Sequence, residues 1–305
     1  MIVLGLDTSN YTTSIACYGE TCKNVSKLLP VKDGQLGLRQ SDALFWHVRQ
    51  LPEVCHTLSE TVSLQTASAI GVSTRPRAVE GSYMPCFLAG EGFASVLSDT
   101  LKKPLYRFSH QQGHIAASLW SAGRMDLLDK PHLAWHLSGG TTELLLVEPE
   151  GRSVHATRIG GTSDISAGQL IDRSGKLLGI SFPAGKAVDA LSMECEDPDF
   201  FQVKLRGLEV SFSGLENKVS DQLSAGKSAA QIARYALLSV IHAVLSVTEA
   251  ACKEYPGLCV VFSGGVASNS LLRERAASFS PVFAAPEYST DNAMGIAVLA
   301  SRMEA

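Results

Sequence analysis

Residues 132–151 read HLAWHLSGGTTELLLVEPEG: an apolar run, a tight turn of Ser, Gly and Thr, then a second apolar run closed by a glycine after an acid. The start of the chain has the same grammar. Residues 2–20 read IVLGLDTSNYTTSIACYGE, again an apolar run, a polar turn rich in small hydroxyl residues, and an apolar run. Each stretch predicts a strand–turn–strand hairpin. Its recurrence about halfway along the chain predicts an internal duplication.

The rest of the sequence fits two related halves. Helices are expected at 41–63 (interrupted by Pro52), 90–103, 164–179, 186–195 and 228–254, and a short buried strand at 69–74. Residues 208–223 read as strand into helix, and 259–275 as a buried strand, a Gly-Gly turn and a helix. The end, STDNAMGIAVLASRME, starts with N-cap character and closes as a helix. Strands alternating with helices indicate an α/β fold. The expected division is 1–126 and 127–290, with residues 291–305 packing back on the first part.

Composition narrows the class. The chain has 305 residues, 45% hydrophobic and 18% charged, which suits large cores and is unlike disorder. Net charge is −4 with no basic arm, so nucleic-acid contact would need a local patch or a partner protein. No uninterrupted apolar run reaches the length of a membrane span, and the first residues read as a strand, not a signal peptide. The seven cysteines, at 17, 22, 55, 86, 195, 252 and 259, never form CxxC, which favours reduced cytoplasmic thiols over disulfides or a structural zinc site. Cys17, Cys86 and Cys259 sit in apolar runs and are expected in the core.

Three turns share one physical logic. DTSNYTT (7–13), SGGTTE (138–143) and SGGVASN (263–269) each follow an apolar strand and offer backbone N–H groups, hydroxyls and little bulk. Such turns let a phosphate approach the backbone, and the third runs into a helix whose dipole favours an anion. None matches GxGxxG or GxxxxGK[ST]. One such loop is an ordinary tight turn. Three in a duplicated hairpin pattern point to the actin/hexokinase/Hsp70 (ASKHA) type of fold: duplicated RNase H-like domains with a nucleotide and metal cleft between them.

In SHQQGHIAAS (109–118), His110 and His114 are four apart ahead of a helix-forming run. That spacing puts both imidazoles on one helical face, although such a pair alone is a weak metal motif.

Taken together, these segments resemble the TsaD family, formerly described as glycoproteases. PLYRFSHQQGHIAA, HLSGGTTELLLV, SDISAGQLIDRSGKLLG, FPAGKAVD, VSFSGLE, GGVASNSLLR and TDNAMGIA match that family's short elements in the same order and cover most of the chain. The resemblance implies one divalent metal, iron or zinc, on His110, His114 and Asp291. It implies an adenine nucleotide on Ser138, Gly139, Gly140 and Thr141, with ribose contacts at Asp172, Gly185 and Asp189 and adenine contacts at Gly264, Gly265 and Asn269. Ser138, Gly139 and Gly140 would stabilise the leaving phosphate. The implied activity is acyl transfer: the L-threonylcarbamoyl group passes from threonylcarbamoyl-AMP to N6 of adenosine 37 in tRNA. ATP or ADP can occupy the same site. TsaB-like and TsaE-like proteins are the implied partners, a homodimer is a further candidate, and no membrane is involved.

Without the resemblance, Asp291 reads equally well as a helix N-cap, and Asp172 and Asp189 as a solvated helix face. The chain also departs from the family. Tyr11 and Thr12 stand where it carries acids, Thr141 where it has histidine, the pair Gln111-Gln112 and also Gln169 where it favours glutamate, Arg173 where it has lysine, and Ala184 and Lys186 within its Gly/Pro turn. These departures mark a divergent member. Two other readings compete: a different carbamoyl transfer from a carbamoyl-adenylate, of the HypF type, and a non-catalytic nucleotide-binding partner of the TsaB type. A protease reading has no support, because HQQGH is not HExxH.

Overall fold

The computed structural model describes residues 1–9, 11–30 and 38–305, so Asn10 of the first turn lies outside the described residues. The chain separates into two units: 1–130 with 148–156 and 287–305, and 131–147 with 157–286. The expected boundaries at 126/127 and 290/291 are therefore each displaced by four residues. The tip of the second hairpin also groups with the first unit, which no local pattern reveals.

The first unit is built on five strands: β1 (Ile2–Asp7), β2 (Thr12–Gly19), β3 (Lys23–Leu28), β4 (Ala67–Arg75) and β5 (Leu105–Ser109). Their order in the sheet is β3-β2-β1-β4-β5. β1–β2 and β2–β3 are antiparallel, while β1–β4 and β4–β5 are parallel. β1 and β4 are apolar on both faces because both faces are covered. Helices α1 (Gln40–Ser59) and α2 (Phe87–Leu101) join them in one core around Leu4, Leu6, Ile15, Leu51, Leu58, Ile70 and Val72. Phe45 points to solvent, His47 is fully buried, and Trp46 packs with Leu29, Ala43 and Phe87, so this aromatic stretch is only partly core.

Helix α3 (His110–Ser121) follows β5 directly, and the last helix, α9 (Met294–Glu304), returns to the same sheet. α9 is buried from Met294 to Ala300. It approaches so closely that a β-carbon on Gly5 would lie 2.5 Å from the carbonyl oxygen of Ala293, and one on Gly71 would lie 2.8 Å from Cβ of Ala300. Tightest of all is the α3–α9 contact, where a β-carbon on Gly295 would lie 1.8 Å from the Gly113 carbonyl oxygen.

The second unit repeats the plan with β6 (His132–Leu137), β7 (Thr142–Glu150), β8 (Ser153–Thr162), β9 (Glu209–Val210), β10 (Cys259–Ser263) and β11 (Val282–Phe283), ordered β11-β10-β6-β7-β8-β9. Read outward from its hairpin, β8-β7-β6-β10-β11 reproduces β3-β2-β1-β4-β5. Strand senses agree: β6–β7 is antiparallel, β6–β10 and β10–β11 are parallel, and the two-residue Gly151–Arg152 turn makes β7–β8 a hairpin. The duplication read from 2–20 and 132–151 is thus present in the topology. The helices are α4 (Ala167–Leu177), α5 (Gly185–Ser192), α6 (Ser213–Ser224), α7 (Ala229–Glu254) and α8 (Ser270–Arg275).

α7 is long and apolar enough to cross a bilayer by length and composition. Here it is the central core helix, buried from Ile232 to Ala251 along one broad face against α4, α5 and α6. Its Thr248 hydroxyl accepts from the indole N–H of the buried Trp135 at 2.8 Å. All seven cysteines are free thiols. Cys17 and Cys86 are buried as expected, but Cys259 is only half-buried.

The Gly113–Gly295 contact yields a prediction. Gly295→Ala places a methyl group against backbone that cannot yield, so the helices must separate. Overpacking of this kind costs about 1–3 kcal/mol or more. Urea unfolding should show that loss, whereas Gly92→Ala, with nothing near its β-carbon position, should be neutral or slightly stabilising.

Candidate metal centre and nucleotide loops

His110 and His114 are held one turn apart by α3, which starts where β5 ends. Ser109 caps the helix: its hydroxyl accepts from the Gln112 N–H, and the Gln112 carboxamide oxygen accepts the Ser109 N–H in return at 2.8 Å. The spacing read from sequence therefore becomes real geometry, with ring centroids 4.3 Å apart. Asp291 reaches both rings, with Oδ1 3.2 Å from Nε2 of His114 and 3.6 Å from Nε2 of His110. One ligand atom from each residue lies within 4.8 Å of the others. Two imidazoles and one carboxylate at this spacing suit a divalent transition metal and leave positions open for a substrate.

Asp291 does not cap α9. The N-cap position is Ala293, with no side-chain cap of its own. The carboxamide oxygens of Asn24 and Asn292 instead accept the N–H groups of Ala293 and Met294, at 3.0 and 3.1 Å. That division of labour leaves the Asp291 carboxylate for the histidines.

The sequence reading missed Asp7. This fully buried carboxylate at the end of β1 accepts the Nδ1–H of His110 at 3.1 Å and the hydroxyls of Ser9 and Ser73. Nδ1–H donation to Asp7 leaves Nε2 of His110 facing Asp291, the arrangement that orients a ligating histidine. The final aspartate of IVLGLD was the only available signal, because nothing local links position 7 to position 110. Burial opposes charge on His110, but the carboxylates of Asp7 and Asp291 beside it outweigh burial and push its pKa up to about 10. Asp7 and Asp291 resist ionisation through burial too. The His110 charge and hydrogen bonds hold Asp7 below the usual carboxylate range, and His110 with His114 does the same for Asp291.

The candidate nucleotide residues lie in the second unit. In the turn after β6, the Ser138 N–H donates to the Thr141 carbonyl at 2.8 Å and the Thr141 N–H to the Ser138 hydroxyl at 3.0 Å. Gly139 and Gly140 have open space at their β-carbon positions, and among the described residues nothing accepts their N–H groups. They are two free, sterically open donors. Behind them α4 packs backbone to backbone: a β-carbon on Gly168 would lie 2.6 Å from Cα of Gly139, and the Ser166 hydroxyl donates to the Gly139 carbonyl at 2.7 Å. Gly264, at φ 91°, sits against the Leu137 carbonyl in a conformation and a space that only glycine fills, while the exposed Gly265 faces open space.

Three residues do something other than line a solvated face or a base edge. Asp172 accepts the Ala184 N–H at 2.8 Å through Oδ1, anchoring the start of α5 beside Gly185. Its Oδ2 stays available. Asp189 uses both oxygens, accepting from the Asn269 amide at 2.8 Å and from the Ser270 N–H and hydroxyl at 3.1 and 2.9 Å. Asn269 caps α8 through Oδ1 to the Leu272 N–H at 3.0 Å. Its carboxamide oxygen and one amide hydrogen thus hold α8 and Asp189 in place.

The departures have local explanations. Gln112 donates to the Val154 carbonyl at 2.8 Å, which a carboxylate could not do. Gln169 keeps the capping box of α4 with Ser166. Ala184 is buried against Gly175, whose added β-carbon would lie 2.3 Å from Cβ of Ala184. Tyr11 and Thr12 lead into β2, with the Tyr11 carbonyl accepting the Leu29 N–H at 2.7 Å. Nothing in the structure explains threonine at 141.

Two measurements follow from this geometry. Metal uptake on His110 must displace a proton held up to about pH 10. Apparent affinity for zinc should therefore rise about tenfold per pH unit between pH 6 and 9, with proton release visible by calorimetry in buffers of different ionisation enthalpy. Asp7→Asn should weaken zinc binding by about 10–100-fold while leaving the far-ultraviolet dichroism unchanged.

The profile of the family described as TsaD, tRNA N6-adenosine threonylcarbamoyltransferase, matches residues 42–298. A relative of that name from Thermus thermophilus is 32% identical over 311 residues, covering 99% of this chain and 93% of the relative. Another from a Sulfurihydrogenibium species is 32% identical over 287 residues, covering 90% and 81%. Among solved structures, full-length HypF in its phosphate- and nucleotide-bound form superposes with a TM-score of 0.63 at 13% identity, over 99% of this chain but only 46% of HypF. The ROK hexokinase of Thermus thermophilus gives 0.54 at 15% identity, over 100% of this chain and 99% of the hexokinase. At such identities the likeness concerns the fold alone, which is the actin/Hsp70-like one. The extent of the profile match and the two sequence relatives establish that this chain belongs to the TsaD family.

Proposed function

We propose that this chain transfers the L-threonylcarbamoyl group of threonylcarbamoyl-AMP to N6 of adenosine 37 in tRNAs reading codons that begin with A. The observation that carries the reading is family membership across residues 42–298. The His110–His114–Asp291 cluster supports catalysis over a purely structural role, since a scaffold needs no such donor set.

In the reaction, the N6 lone pair of adenosine attacks the carbamoyl carbonyl carbon. The bond from that carbon to the phosphate oxygen breaks, AMP leaves with the electron pair, and N6 loses one proton. The leaving phosphate needs donors. The open N–H groups of Gly139 and Gly140, with the Ser138 hydroxyl, suit its oxygens, and Thr141 closes that turn. Oδ2 of Asp172 suits a ribose hydroxyl beside Gly185, while Asp189 and Asn269 position α8 next to Gly264 and Gly265. His110, His114 and Asp291 would hold one divalent ion, iron or zinc. When bound, such an ion would supply positive charge able to polarise a substrate oxygen. Asp7 keeps Nε2 of His110 turned toward that ion.

The assignment includes a cytoplasmic setting and TsaB-like and TsaE-like partners. With a net charge of −4, the chain gains from partners in holding a polyanion.

Complementation tests the reading. A bacterium depleted of its resident TsaD, supplied with this chain and the TsaB and TsaE of its source, should regain threonylcarbamoyladenosine in tRNA, read by mass spectrometry of nucleosides. His110→Ala should return the signal to background. Absence of the nucleoside with soluble, metal-loaded protein would sink the proposal.

A further inference from the structure

The loop from β4 to α2, residues 76–86 (PRAVEGSYMPC), is tied at both ends to the supports of the histidine cluster. At its start, the Pro76 carbonyl accepts the Gln111 N–H at 3.0 Å, in the first turn of α3 beside His110. At its end, the Cys86 carbonyl accepts the hydroxyl of Thr8, the residue after Asp7, at 3.1 Å. The next residue, Phe87, has its ring centroid 6.3 Å from that of His110. The middle is braced by the Arg77 N–H on the Ser82 hydroxyl at 3.0 Å and the Ser82 N–H on the Val79 carbonyl at 3.2 Å.

Tyr83 is 63% exposed, and among the described residues its ring has no aromatic partner. Arg75, exposed at the end of β4, has no ion pair or hydrogen bond from its guanidinium among the described residues. Arg77 adds a second cation and Glu80 one acid. A single exposed tyrosine or arginine needs no explanation. Arg75 at the end of β4 and Tyr83 on the anchored loop that follows it offer, on a chain with net charge −4, a cation and an exposed aromatic ring, the pair of groups that takes unpaired nucleotides.

We propose that residues 75–86 receive single-stranded RNA beside the acceptor adenosine, with an unpaired base stacked on Tyr83 and a backbone phosphate on Arg75. This inference rests on the tRNA reaction proposed above. An enzyme acting on a base must take it out of its stack, and the opened strand then needs a replacement surface for the bases it has unstacked. A loop hydrogen-bonded to the first turn of α3 supplies one on the same unit as His110.

The test uses the full-length, zinc-loaded protein and two RNA probes, an anticodon stem-loop and a fully paired duplex of the same length, with affinity read by anisotropy over a salt series. Tyr83→Ala should weaken the stem-loop on the order of tenfold or more and the duplex much less, with Tyr83→Phe close to the parent. Arg75→Ala should lower the slope of log affinity against log salt by about 0.7. Zinc content and melting temperature should match the parent in all three variants, which separates loss of the loop from damage to the histidine cluster. Unchanged stem-loop affinity and salt slope, or equal losses on both probes, would overturn the assignment of this loop. If the parent protein with its partners binds neither probe, the tRNA acceptor itself falls.

Discussion

The backbone contact between Gly113 and Gly295 is the constraint on which the candidate metal centre depends. Gly113 sits between His110 and His114 on α3, and Gly295 lies four residues past Asp291 on α9. Because neither helix carries a side chain at the crossing, α3 and α9 approach until one peptide backbone rests on the other. That approach brings a carboxylate from the end of the chain onto two imidazoles, the nearer of them encoded 177 residues earlier. Gly5 and Gly71 extend the same close fit onto the sheet, so α9 is clamped between sheet and helix and its N-terminal turn has one position.

Charge is concentrated at this crossing. One buried carboxylate, Asp7, and one half-buried carboxylate, Asp291, flank one imidazole, and the imidazolium and donated hydrogen bonds hold both below the usual carboxylate range. Buried charges persist only when paired in this way. The hydroxyls of Ser9 and Ser73, both donating to Asp7, keep its carboxylate pointed at His110.

The two units use one topology for different chemistry. In each, a central hairpin strand delivers a turn at its end. In the first unit that turn begins with Asp7, and its role is to orient a histidine. In the second it is Ser138–Thr141, where internal hydrogen bonds consume the outer N–H groups and leave the two glycine N–H groups free. Small residues recur in both units for one reason: backbone must come close, either to another helix or to a ligand. The family's fold is thus kept while particular positions drift. Gln112 and Gln169 each complete a capping box, because a carboxamide oxygen accepts an N–H as a carboxylate does.

Much of this was legible along the chain. Alternating apolar runs around 2–20 and 132–151 announced the hairpins and the duplication, and an i,i+4 spacing announced that His110 and His114 share a face. Such features are local, set by the periods of strand and helix. Of the strands left unread, β3 is an exposed edge, β5 is five residues long and half-buried at its start, β8 has weak alternation, and β11 is two residues made a strand only by its neighbour, while the strand read at the start of 208–223 is present as the two residues of β9. Likewise Asp291 read equally well as an N-cap until Asn24 and Asn292 were seen to do that work. The hydrogen bond from the Asn269 amide to Asp189, which ties α5 to the start of α8, was also illegible in the sequence. By itself, then, the sequence determined the elements, their repetition and the residue types available for metal and phosphate. Only the tertiary structure decided that Asp7, His110, His114 and Asp291 form one cluster, because the distance between positions 7, 110 and 291 is set by glycine-lined packing that leaves no periodic trace in the chain.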